Sequence, residues 1–69
     1  MPATQILTVS GMTCGHCVAA VTSELEAIPG VTSVEVDLAT GRAVVTSSAP
    51  VDPSLLLAAV DEAGYEIVP

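Results

Sequence analysis

Residues 17–41 read CVAAVTSELEAIPGVTSVEVDLATG, and a change of period inside this stretch dictates the architecture. Val18, Val21, Leu25 and Ile28 recur at spacings of three, four and three, with Thr22, Ser23, Glu24 and Glu26 between them. That rhythm keeps one face apolar and the other wet, and predicts an amphipathic helix of about three to four turns. Pro29 and Gly30 end it, because proline lacks the amide a helix needs and glycine is costly to order there. From Val31 the period becomes two. Val34, Val36 and Leu38 alternate with Glu35 and Asp37, as in a strand with one buried face. Ala39 to Gly41 supplies a tight turn into Arg42–Ser47, where Ala43 and Val45 share a face opposite Val44, so the two runs make a hairpin.

Upstream, Thr4–Val9 reads as a short strand that Ser10 and Gly11 interrupt. Downstream, a polar, proline-bearing loop leads to Asp52, a helix cap, with Pro53 at the first helical position. Leu56, Val60 and Ala63 line the inner face of this second helix, Gly64 ends it, and Tyr65–Val68 makes a closing strand. The predicted order is βαββαβ, an α+β, ferredoxin-like arrangement in which two helices cover one face of a four-stranded antiparallel sheet. The two βαβ halves form a weak internal repeat. Only the first loop carries cysteines; its counterpart, Ser47–Ser54, offers no soft ligand.

A chain of 69 residues is expected to form one small domain over 1–69, burying only roughly 60% of its unfolded surface. Phe and Trp are absent and Tyr65 is the sole aromatic, so Val, Leu, Ile and Ala must build the core. Eight acidic residues face a single Arg42, for a formal charge of −7. Such a charge repels phosphate backbones and anionic headgroups, which argues against nucleic-acid and direct membrane binding. The start, MPATQILTVSG, lacks the cationic and apolar segments of a secretory signal, and no long apolar run follows. The expected location is therefore cytoplasmic.

In that reducing setting two cysteines are more often ligands or redox groups than a structural bridge. Both lie in GMTCGHC, residues 11–17, where strand gives way to helix. Cys14 is expected at the loop tip and Cys17 in the first helical turn, with their sulfurs converging beside a helix N-terminus that favours thiolate. Thiolates are soft donors, and a pair with no fixed carboxylate beside it suits Cu(I) better than harder cations. Thr13 is read as capping the helix or tolerating the turn. Met12 is read as an inward anchor for the loop, with thioether ligation as the alternative. His16 is read as turned to solvent; if protonated and close, it would instead lower the thiol pKa values. Tyr65 falls beside the cysteine loop in this topology, where it either shields the metal, donates to a sulfur, or simply packs.

The motif Gly-Met-x-Cys-x-x-Cys, the amphipathic helix after it, the VEVDLATG hairpin and the DEAGYE ending resemble the heavy-metal-associated domain along essentially the whole chain. The resemblance is greatest to the family's bacterial copper-chaperone branch. It implies Cu(I) bound by Cys14 and Cys17, Met12 packed beneath the loop, and Tyr65 near the metal. It also implies transfer of copper, by ligand exchange between two Cys-x-x-Cys sites, to the metal-binding domain of a copper-transporting P-type ATPase. Family members that take zinc or cadmium usually carry an acidic residue before the first cysteine; here Thr13 occupies that position, which favours Cu(I). The acidity departs from the basic eukaryotic chaperones of this kind and implies a partner with a neutral or basic docking surface. The apo protein is expected to be a monomer, with a copper-bridged dimer left open.

Competing readings are a thiol–disulfide redox protein, an excised ATPase domain and a mercury-binding homologue. The chain is short for a thioredoxin-like domain, and a closed zinc site needs four ligands where two cysteines and one histidine are on offer. No nucleophile triad, paired-carboxylate pocket or phosphate loop points to an enzyme. The expectation is a free chaperone.

Overall fold

A computed structural model describes residues 2–68; Met1 and Pro69, the ends of the expected 1–69 domain, lie outside the described residues. The elements follow the predicted order: β1 (Ala3–Ser10), α1 (Gly15–Glu26), β2 (Val31–Asp37), β3 (Arg42–Ser47), α2 (Pro53–Glu62) and β4 (Glu66–Val68). They form one four-stranded sheet in the order β2-β3-β1-β4, every pairing antiparallel. The fold is the expected ferredoxin-like one.

Strand alternation decides which side chains meet the helices. Leu7 faces Ala43, which faces Val36, and Val9 faces Ile67, so one side of the sheet is an aliphatic surface. Val21 and Leu25 of α1, with Leu56, Ala59 and Val60 of α2, close over it, and Ile28 and Val51 complete the core. Ile6, Val44 and Glu35 align across the other side, where Ile6 is 63% exposed. The buried core residues are all aliphatic, as the composition requires.

Several boundaries differ from the sequence reading, each for a physical reason. Helix α1 begins two residues before Cys17 and ends at Glu26, because the residue preceding Pro29 is biased away from helical backbone. Ile28 stays in the core all the same, beyond the helix proper. Leu38 does not extend the alternation of β2. It sits in the hairpin turn, 39% exposed, since Asp37 Oδ1 accepts from Ala39 N at 2.9 Å and the chain has already begun to reverse. Gly41 completes that turn at φ +74°, and a Cβ there would lie 2.6 Å from the Val9 carbonyl oxygen. The turn is thus packed directly on the end of β1. In α2, Ala59 joins the expected inner face, and β4 starts at Glu66, one residue later than expected. Asp52 caps α2 by accepting from Ser54 N at 2.9 Å, as its position before Pro53 led one to expect.

Gln5 ties the second half of the fold to the first. Its side-chain amide donates to Val51 O at 3.0 Å and its oxygen accepts from Val51 N at 2.9 Å, imitating a sheet ladder where the loop before α2 passes β1.

Candidate metal centre

The sulfur-bearing loop spans the end of β1 and the start of α1. Gly11 leaves the strand at φ +93°, and a Cβ there would stand 3.3 Å from the Tyr65 ring. Half-buried Met12 packs against the core and tethers the loop from below. Cys14 is the helix N-cap residue, with extended backbone, and its carbonyl accepts from Cys17 N at 3.1 Å and Val18 N at 3.3 Å. Its side chain makes no capping bond, which leaves the sulfur free. Cys17 follows in the first turn, half-buried, with its Sγ 3.4 Å from that of exposed Cys14. A disulfide would need about 2.05 Å, so these are two separate thiols.

The local environment favours negative charge on Cys17. Its thiol is pulled down from 9.0 to about 6, first by hydrogen bonding from the Thr13 backbone, then by the Tyr65 side chain and by Cys14. Only an N–H can donate from a backbone to a thiolate, so the group acting on the sulfur is the Thr13 amide. The Tyr65 contact acts on the tyrosine in the opposite sense, raising its pKa, chiefly because its O–H is held toward Cys17.

The structure brings four of the five residues singled out from sequence together, and for Thr13 it excludes one of the two readings, the helix cap. Met12 points inward, Cys14 and Cys17 converge, and Tyr65 reaches the loop from the far end of the chain. His16 is exposed and takes no part in lowering Cys17. Thr13 does not cap α1: Cys14 holds that position, and the Thr13 hydroxyl lies 3.9 Å from Cys17 Sγ instead. The reason is that the helix starts one residue later than a Thr13 cap would require. The part played by the Thr13 backbone was not legible from the sequence, because any residue other than proline carries that amide.

Two sulfurs at this spacing make an open donor pair. With metal–thiolate bonds of about 2.3 Å, as for zinc, a separation of 3.4 Å corresponds to an S–metal–S angle of roughly 95°. A linear two-coordinate ion would need sulfurs about 4.6 Å apart on the same bond length. Among the described residues no third His, Cys, Asp or Glu completes a ligand cluster.

The chain matches the heavy-metal-associated domain over residues 6–66. It belongs to that family. This heavy-metal-associated domain is 45% identical over 65 residues to the copper chaperone CopZ of Staphylococcus aureus, covering 93% of its own length and 96% of the chaperone's. It is 48% identical over 66 residues to copper-transporting ATPase 2 of Rhizobium meliloti, covering 94% of its own length but only 8% of that much longer protein. A solved CopZ metallochaperone superposes with a TM-score of 0.89 at 42% identity, covering 96% of the present chain and all of the other. Among the described residues no helix is long and apolar enough to cross a membrane.

Proposed function

We propose that this domain is a cytoplasmic copper chaperone that holds Cu(I) between the thiolates of Cys14 and Cys17 and passes it to the metal-binding domain of a copper-transporting P-type ATPase. The observation that carries the reading is the pair of unbridged sulfurs 3.4 Å apart on an exposed loop, one of them biased toward thiolate. Soft, charged sulfur suits Cu(I), and two donors leave its coordination sphere open to an incoming ligand. Transfer proceeds by exchange: a partner thiolate joins the ion, Cys14 swings away first because it is the more exposed, and Cys17 leaves last. The metal changes ligands without changing oxidation state, so the protein acts as a carrier and not as an enzyme. Met12 holds the loop on the core, Tyr65 steadies the Cys17 sulfur, and His16 stays outside the site. The apo protein works as a monomer.

The test is an anaerobic Cu(I) competition titration against a strong chromogenic chelator, with Cys14→Ser/Cys17→Ser alongside. Stoichiometric binding that vanishes in the variant while its far-ultraviolet spectrum is kept supports the carrier. Failure of the wild type to compete with the chelator rejects it. The 48% identity to an ATPase segment favours a second reading, in which the same site serves as a receiving domain within a transporter. The size of the natural gene product on an immunoblot separates the two.

A further inference from the structure

One surface next to the sulfur loop has the shape and charge of a docking site. A groove of about 530 Å³ runs between α2 and β4, lined by Leu57, Ala58, Asp61, Tyr65, Glu66 and Ile67. Leu57 is 55% exposed, a large aliphatic side chain left in water in a domain whose core is short of them. Tyr65 belongs both to this groove and to the metal loop, since its ring abuts Gly11 and its hydroxyl acts on Cys17. Asp61 and Glu66 make the groove acidic, and no Lys, Arg or His lines it. Arg42, the chain's only Lys or Arg, pairs in register with Thr8 and stands two strands away from β4. Asp61 also lies in the last turn of α2, the negative end of the helix dipole, where helix stability alone would favour a cation.

We infer that the groove between α2 and β4 is where the copper-exchange partner docks, and that this partner presents an apolar side chain flanked by Lys or Arg. The inference rests on the carrier reading above. The apolar side chain would cover Leu57 and Ile67, while its basic neighbours meet Asp61 and Glu66. A second copy of this chain would bring the same carboxylates face to face, and an anionic lipid surface would be repelled by them. Docking here places the partner against Tyr65, the one groove residue that also acts on Cys17. Exposed Ile6 lies on the opposite face of the sheet, four residues before the end of β1.

The test measures the rate of Cu(I) transfer from the loaded protein to the amino-terminal metal-binding domain of the copper-transporting ATPase from the same organism, at low and high salt. Asp61→Lys/Glu66→Lys reverses the groove, and Glu26→Lys/Glu35→Lys changes net charge by the same amount at exposed positions elsewhere. Leu57→Ser removes the apolar contact. The expected result is a loss on the order of tenfold in low-salt transfer rate for the groove reversal only. Leu57→Ser slows transfer at both salt concentrations, and Cu(I) affinity is equal in all variants. Equal transfer rates in the two charge-reversed proteins would overturn the docking site while leaving the carrier intact, as would self-association of the wild type that the groove reversal abolishes. Loss of Cu(I) binding by the wild type itself would remove both.

Discussion

Replacing Tyr65 by Phe tests how the fold prepares Cys17 for metal, because it deletes one hydroxyl and keeps the ring that packs against Gly11. With its thiol lowered to about 6, Cys17 is roughly 90% thiolate at pH 7, whereas at the ordinary value of 9.0 it would be about 1%. The Thr13 backbone is the largest cause of the shift and the Tyr65 side chain the second, with Cys14 behind it. Tyr65→Phe should therefore raise the Cys17 pKa part of the way toward 9.0 and stop short of it, since the other donors stay. The assay is thiolate absorbance near 240 nm against pH, under strict reduction, with alkylation rates by iodoacetamide as a second readout. His16→Ala is the control and should leave the Cys17 curve where it is. A wild-type curve with no titration below about pH 8 would refute the loop-amide account, and a Tyr65→Phe curve identical to the wild type would refute the part given to the hydroxyl.

Linkage predicts the sign of a pH effect on the apo fold. The folded pKa of Cys17 lies below the unfolded value, so its contribution is present above about 9 and lost as pH falls toward about 6; urea midpoints should rise across that window and the rise should vanish in Cys17→Ser. Leu25→Ala empties a wholly buried position between α1 and the sheet and should cost about 2–5 kcal/mol, enough to unfold much of so small a domain, as read by chemical denaturation. Gly41→Ala should destabilise by about 1–3 kcal/mol, because it combines an unfavourable φ with a Cβ 2.6 Å from Val9 O; a neutral result would mean the hairpin turn can shift off β1. Asp52→Ala removes the α2 cap and should cost about 1 kcal/mol, while Asp52→Asn should recover most of it.

The helix before Pro29, the hairpin across Ala39–Gly41, the Asp52 cap and the element order all follow from periods and breakers within a few residues of one another, and they stand in the structure. So does the convergence of Cys14 and Cys17, which needs only a loop and one helical turn. Leu38 was misplaced because alternation alone does not say where a turn begins; the Asp37 side chain closing on Ala39 N settled that.

Other features have no local signature. The element order puts Tyr65 beside the cysteine loop, but that its hydroxyl acts on a sulfur 48 positions earlier instead of merely packing depends on β4 pairing with the end of β1. The Thr13 amide lowers the Cys17 pKa, and an amide is present at nearly every residue, so composition cannot mark it. The acidic groove likewise arises from Asp61 on α2 and Glu66 on β4 being set beside Leu57 and Ile67 by the packing of α2 on the sheet. The sequence thus determined the elements, their order and the donor atoms, through local periodicity and side-chain chemistry. Tertiary packing decided the charge state of the donors and the surface around them, because both depend on groups that meet only when distant strands pair.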